Sequence, residues 1–554
     1  MCFIKICANF ADVKRVINTF RFILVCVLLC SSASGMYAQI SAEQTLSIAR
    51  QLIDNEDYAL AVQYLGKTVQ AKPYMAEPYY LRGLCKMMLG DIPGASADCT
   101  SAISLNPYMR DPYRVRGLVR MQSDDFTAAL VDFQTGLSLI PDDRTFLYYS
   151  AICQNELRHT AESERTYNNL HRLYPKFIPG YTAHARSLLA EKDTLAAVRI
   201  LKSIPGKGSF GTEPTLILAD LALTQNRWND ALPLLDNALK LMPHNETLYI
   251  NRGIAHTRLG NPRAATADFK IALNLNPDNI IVQKALFGKS LTPVHLIAEQ
   301  SFLPAIKSAI RTDEVKKPCG MFALSFTHPY DDLHPLTYPY PELSAINASG
   351  RFPSPLYISP DAAETPDPEQ AIALFSFAEN ELLPSTNEKR MGRAVAYAML
   401  KNYDSALSDL DKVVAEGPQL AAACMERAFV YACMADMYLS NARHAGQQER
   451  LLAKAQHRDA LTKALADLQA ALARDPNLIY ALYDMAIIFT RLGEPAKALE
   501  AYNNVIALNP NLPQAYLNRG LLHAASGNKQ QAAADWSRAG ELGIARAYTL
   551  IRRL

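Results

Sequence analysis

Small and bulky apolar positions return along most of this chain at one fixed step, and proline punctuates it. Pro73, Pro107, Pro141 and Pro175 are evenly spaced, and the same step separates Pro243 from Pro277 and Pro476 from Pro510. When each unit is counted so that its terminal proline takes place 32, place 8 holds Gly83, Gly117, Ala151, Ala219, Gly253 and Ala486. Place 20 is alanine at Ala61, Ala95, Ala129, Ala231, Ala265, Ala406, Ala464 and Ala498, and place 27 at Ala102, Ala238, Ala272 and Ala471. Place 24 is large: Leu65, Phe133, Tyr167, Leu235, Phe269 and Tyr502. Small residues on facing positions let two helices approach, and bulky ones fill the groove beside them. Proline at place 32 stops the second helix of each pair, and Gly90, Asn226, Gly260 or Gly493 near place 15 closes the first. The pattern predicts helical hairpins stacked into a solenoid, each burying its apolar face only against its neighbours.

A 34-residue helix–turn–helix period with these small and large places resembles the tetratricopeptide repeat family. Eleven units can be counted: about 42–75, 76–109, 110–143, 144–177, 178–211, 212–245, 246–279, 387–420, 421–478, 479–512 and 513–546. The expected class is therefore all-α, a superhelical solenoid of a seven-unit block (42–279) and a four-unit block (387–546) around an irregular, partly β insertion (280–386). The fourth unit has Ser163 at place 20. The ninth carries about two dozen extra residues, which should lengthen both helices or add a loop. A last amphipathic helix over 545–554 is expected to cover the open end of the stack.

Comparing units with one another reveals a paired position. Place 7 is Arg in six units (Arg82, Arg116, Arg252, Arg393, Arg427, Arg519), and in those six place 23 is Asp (Asp98, Asp132, Asp268, Asp409, Asp467, Asp535). The other five lack both, as in Leu218 with Leu234. Joint replacement is what contacting charges require, since a lone buried charge is costly. Six Arg–Asp salt bridges between the helices of their hairpins are expected, structural rather than anion-binding.

The rhythm breaks over 280–386. Met321 to Phe326 alternates like a strand, with Phe322, Leu324 and Phe326 on one face, and proline and tyrosine crowd the stretch that follows. One or two strands are expected in an element that bridges the two blocks or packs over one of them. His328, Asp331, Asp332 and His334 have metal-compatible types but no recurrent ligand spacing, so a solvated loop is favoured over a metal or catalytic site.

At the N-terminus, Lys5, Lys14, Arg15 and Arg21 precede an apolar run from Phe22 to Cys30 and a small-residue exit at Ser31–Gly35. That order marks a signal peptide over 1–38, cut after Gly35 or Ala38. The apolar run is short of the ~20 residues that span a bilayer, which disfavours an uncleaved anchor. Leu29 is bulky where lipid modification of Cys30 would want a small residue. Export to a periplasmic or envelope-associated location is the expectation.

Composition changes the picture little. Lys and Arg number 56 against 54 Asp and Glu, a net charge of +2 that gives no footprint for nucleic acid. Six cysteines remain after the leader without metal-type spacing. Cys85 and Cys99 fall on the two helices of one hairpin, where a disulfide or two buried core thiols are both open. No phosphate loop, nucleophile elbow or zinc-binding helix is found, and no cofactor is implied.

The resemblance implies a binding wall. In the family, ligands lie against first-helix places 2, 5, 9, 12 and 13. Matching residues here include Tyr80, Leu84 and Met87; Arg114, Leu118 and Met121; Ile250, Ile254 and Arg258; and Tyr483, Ile487 and Arg491. The chaperone-binding branch of the family uses Lys and Asn at places 5 and 9, whereas Tyr80 and Leu84, then Arg114 and Leu118, stand there. The expectation is a non-enzymatic scaffold of the cell envelope that binds a protein or peptide on this concave face. The alternative is an enzyme or ligand-binding protein with its site in the 280–386 insertion and the repeats used for recruitment. The oligomeric state stays open.

Overall fold

The computed structural model describes residues 41–204, 211–279, 282–283, 291–296, 316–325, 343, 347, 355–360, 368–380, 386–417, 421–443 and 446–554. The expected leader and the cluster His328, Asp331, Asp332 and His334 lie outside the described residues. Apart from one small sheet, the regular elements of the described residues are helices, and none of these helices is long and apolar enough to cross a membrane.

Among the described residues eleven helical hairpins are present. Hairpins 1–4 pair Ala42–Asp54 with Tyr58–Ala71, Ala76–Leu89 with Ile92–Leu105, Arg110–Gln122 with Phe126–Leu139, and Arg144–Glu156 with Thr160–Leu173. Hairpins 5–7 pair Ile178–Ala190 with Thr194–Lys202, Thr212–Thr224 with Trp228–Leu241, and Glu246–Arg258 with Pro262–Leu275. Hairpins 8–11 pair Asn387–Met399 with Tyr403–Glu416, Ala421–Asn441 with Gln447–Arg474, Ile479–Leu492 with Pro495–Leu508, and Pro513–Ala525 with Lys529–Glu541. The extra residues of hairpin 9 lengthen both of its helices. A helix at Pro368–Asn380 precedes hairpin 8, inside the stretch read as proline-rich.

Local chemistry explains the turns. Asp57, Asp91, Asp125 and Asp193 each cap a second helix by accepting its N3 amide. In ten hairpins the residue at place 15 turns the chain through a left-handed backbone: Glu56, Gly90, Asp124, Arg158, Lys192, Asn226, Gly260, Lys401, Gly493 and Gly527. Glycine is therefore one solution to that turn and not a requirement, and five charged residues occupy it at a steric cost.

Close approach at place 8 is real. A Cβ on Gly253 would lie 2.6 Å from the ring of Phe269, and one on Gly83 would lie 2.9 Å from Cys99 Sγ. Facing alanines such as Ala61, Ala95, Ala129 and Ala464 are fully buried. Ser163 replaces alanine without an orphaned hydroxyl, because its Oγ donates to the Ala151 carbonyl at 2.9 Å. Cys85 and Cys99 are separate buried thiols, both pushed up to about 12 by burial, and no disulfide joins the described cysteines.

The place-7 arginines and place-23 aspartates meet in all six hairpins. Arg82–Asp98, Arg116–Asp132, Arg252–Asp268, Arg393–Asp409, Arg427–Asp467 and Arg519–Asp535 close at 2.5–2.7 Å. Each pair is two-pronged, with Nε on one carboxylate oxygen and Nη2 on the other. Arg427 and Asp467 are 40 residues apart, yet they pair like the rest, so the insertion in hairpin 9 preserves the hairpin's register.

The first and last hairpins of the described chain meet, where an open stack was expected. Leu46, Ala49, Ala61 and Leu65 of hairpin 1 share a core with Leu517, Ala532 and Trp536 of hairpin 11. The last helix, Arg546–Ile551, does not cover an open end. Its buried Tyr548, Leu550 and Ile551 belong to that joint core. Charges pin the joint: buried Lys86 lies 2.9 Å from Asp98 and 2.5 Å from Glu541, and Ser537 bonds Asp91 at 2.5 Å. Packing thus runs from hairpin 8 to hairpin 11, from that hairpin's second helix directly into hairpins 1 and 2, and on to hairpin 7, with the last helix sharing the joint core. Hairpins 7 and 8, linked by the 280–386 segment, stand at the two ends of that order.

Candidate peptide-binding wall

The sheet consists of β1 (Ala323–Ser325) and β2 (Tyr357–Ser359), antiparallel, with Leu324 opposite Ile358. It sits on the first helices of hairpins 8 and 9, and residues 319–322 before it lie on hairpins 10 and 11. Met321 to Ser325 are all buried, so the expected alternation of a one-faced strand is replaced by burial on both faces. Both edges are taken as well: the Phe322 and Leu324 N–H groups go to first-helix carboxylates, and β2 pairs along the other edge.

One place of the first helix holds this segment by its backbone. Asn518 of hairpin 11 accepts the Cys319 N–H at 2.8 Å and donates to the Cys319 carbonyl at 3.1 Å. Asp484 of hairpin 10 accepts the Phe322 N–H at 2.7 Å, and Glu426 of hairpin 9 accepts the Leu324 N–H at 2.8 Å. All three acceptors occupy place 6. Two or three extended residues advance roughly 7–10 Å, and packed helices lie about 8–10 Å apart. An extended chain therefore meets a new acceptor at each hairpin, running from 11 towards 8. Asn251, place 6 of hairpin 7, clamps Val294 in the same two-way manner at 2.7 and 2.8 Å. Beside it, Asp220 accepts the Leu296 N–H at 3.0 Å.

Side chains complete the seat. The Phe322 ring lies 5.0 Å from the rings of Tyr480 and Tyr483, an arrangement favourable for aromatic pairs. Asn518 also donates to the Tyr483 hydroxyl at 2.9 Å, which fixes its amide for Cys319. Glu426 and Asp484 are wholly out of solvent. Burial pushes the Glu426 carboxyl up to about 8, against the Leu324 N–H, which favours its ionised form. Burial likewise holds Asp484 well above the carboxylate range, with the Phe322 N–H opposing and Glu426 adding to the rise. Near neutral pH Glu426 is an acid that accepts through its carbonyl oxygen. One oxygen of each, Glu426 Oε1 and Asp484 Oδ2, has no hydrogen-bond partner. Between residues 316–321 and hairpins 9–11 lies a cavity of about 1390 Å³, with Phe429, Ile487, Arg491 and Arg546 among its lining.

The residues expected on the wall divide into four sets. Tyr80, Leu84 and Arg114 of hairpins 2 and 3 and Ile487 of hairpin 10 are partly exposed. Met87, Leu118, Met121, Ile250 and Ile254 are buried in core clusters, which corrects their reading as open contact residues. Tyr483 is covered by Phe322. Of the cations, Arg258 lies over the Trp228 ring at 5.9 Å, and Arg491 is paired with Asp436. The acceptors at place 6 escaped the sequence reading. A signal existed: this place is apolar at Leu81, Val115, Ala183 and Ile217 and is Ser47 in hairpin 1, yet it is Asn, Glu or Asp in hairpins 7, 9, 10 and 11 alone.

Comparison with known proteins agrees with the repeat. Family models described as tetratricopeptide repeat and TPR repeat match residues 217–280 and 360–421, and residues 488–527. Photosystem I assembly protein Ycf3 of Acaryochloris marina is 41% identical over 76 residues, 13% of this chain and 46% of the relative. A tetratricopeptide repeat and J domain-containing co-chaperone of Fusarium oxysporum is 35% identical over 94 residues, 16% of this chain and 18% of the relative. The chain thus spans under half the length of either. Among solved structures, a tetratricopeptide repeat protein from Parabacteroides merdae aligns at 18% identity and a TM-score of 0.34, over 44% of this chain and 97% of its own.

Proposed function

We propose that this array of tetratricopeptide repeats is an exported, non-enzymatic scaffold of the cell envelope that holds a protein partner by an extended segment laid along its inner wall. Tetratricopeptide proteins act as protein–protein interaction scaffolds, and one observation carries the reading for this chain. An extended stretch of its own backbone, Cys319 to Leu324, is seated on the wall by Asn518, Asp484 and Glu426. Acceptors aimed at main-chain N–H groups read extension and not sequence, so the wall suits a polypeptide better than a small molecule. Export rests on the signal-peptide pattern over 1–38.

Hairpins 2 and 3 offer the place to test it, since Tyr80 and Arg114 are partly exposed there. A photo-reactive amino acid in place of Tyr80 or Arg114 should cross-link another polypeptide when the chain is expressed in its native cell. The same probe at Leu195, which is 79% exposed on a second helix, should give much weaker labelling. Equal labelling at all three sites, or none, contradicts binding through the inner wall.

A further inference from the structure

We propose that the wall of hairpins 9–11 is a receptor for an extended, apolar segment of another protein, and that residues 316–325 of this chain occupy it until that partner displaces them. The inference rests on the scaffold reading above and assigns to it a site, a ligand class and a competitor.

The seated segment defines the chemistry of what fits. It presents an N–H to each of three hairpins, an aromatic ring between Tyr480 and Tyr483, and an aliphatic side chain two residues further on. None of these contacts requires that the segment belong to the same chain. Phe322 meets Asp484 across 162 residues of sequence, and Cys319 meets Asn518 across 199. The segment docks on the hairpins as a ligand would, main chain first.

Two features show that the present occupant leaves the site incompletely satisfied. Glu426 and Asp484 each keep a buried oxygen with no partner, a condition that costs on the order of 1–3 kcal/mol per group. The neighbouring cavity of about 1390 Å³ leaves room along the same wall. A partner segment carrying a hydrogen-bond acceptor for the Glu426 hydroxyl, as well as the apolar pattern of Met321–Ser325, would satisfy what the chain's own segment does not. Because the site is already filled, such a partner binds with an affinity reduced by the fraction of chains whose site is open.

The test uses a fluorescent peptide with the sequence of residues 316–325, added to the full chain and to Phe322→Asp/Leu324→Asp. That double variant alters the occupant and leaves every acceptor of the wall in place. The peptide should bind the variant at least about tenfold more tightly than the original chain. Adding Asp484→Leu and Asn518→Leu to the variant should abolish that gain. Circular dichroism and the melting temperature report whether the variants fold. Independently of them, excess peptide added to the unaltered chain should speed hydrogen exchange at the Cys319, Phe322 and Leu324 amides. No preference for the loosened variant, together with unchanged exchange at those amides, overturns the proposal. So does formation of a dimer by the loosened variant through reciprocal segments, which would make a second copy the occupant. Cross-linking at Tyr80 and Arg114 is read separately, so the scaffold reading can stand if this site proves closed to partners.

Discussion

At Asp409 a carboxylate almost wholly removed from water is held by Nε and Nη2 of Arg393, each at 2.7 Å. Removing one partner of such a pair leaves the other buried and unpaired, whereas removing both does not. Arg393→Leu should therefore cost about 3 kcal/mol in denaturant unfolding, and Arg393→Leu/Asp409→Leu should recover more than half of that loss. A loss below about 1 kcal/mol for the single variant would show that the pairs contribute little. This pairing was legible in one sequence because eleven copies of the hairpin serve as their own comparison. Leu218 with Leu234 shows the apolar version of the same contact. The left-handed turn at place 15 was legible only in part, since glycine advertises it and Lys192, at φ 66°, does not. Lys192→Gly should raise the thermal midpoint, with a gain of roughly 0.5–1 kcal/mol, because it relieves that strain. An unchanged or lower midpoint would contradict the strain.

At the scale of elements, the hairpins were readable and the path of the insertion was not. Helical period, small places and terminal proline all lie within a single repeat unit, so each hairpin carries its own signal. The acceptors Asn251, Glu426, Asp484 and Asn518 differ in type and meet backbone groups, which have no side-chain signature for a sequence to show. Their chemistry has a pH consequence. The Glu426 carboxyl is raised to about 8 in the fold from an ordinary value near 4.5, so the folded site binds a proton that the released site does not. Its stabilisation is full below pH 4.5 and is lost as pH rises towards 8. Exchange at the Leu324 amide should accelerate over that window, beyond the base-catalysed rate seen in a short peptide of the same sequence. In Glu426→Gln, which stays neutral and keeps a carbonyl acceptor, the excess should vanish. An excess that persists in Glu426→Gln would place its cause elsewhere.

Across the whole molecule, the joint between hairpins 11 and 1 orders the stack and brings the ends of the described chain into one core. Lys86 and Glu541 stand 455 residues apart, beyond the reach of any periodic argument. Burial alone would raise the Glu541 carboxyl, but Lys86 and Arg82 outweigh it and hold the group down at about 2. The joint is therefore fully stabilised above pH 4.5 and weakens as pH falls towards 2. Burial, with His171 adding to it, likewise lowers His184 to about 4, so hairpins 4 and 5 lose stability as pH falls from 6.5 towards 4. Lys86→Met should split thermal unfolding into two transitions, while Lys72→Met, which removes a more exposed pair with Glu43, should leave one. One unshifted transition in Lys86→Met would mean that the joint does not couple the two blocks. The seat of the extended segment is read directly by hydrogen exchange of the unaltered chain. The amides of Cys319, Phe322 and Leu324 should be protected at least about a hundredfold over an unstructured peptide, and Asp484→Leu/Asn518→Leu should remove most of that protection at Cys319 and Phe322. Coil-like exchange at these amides in the unaltered chain would contradict it.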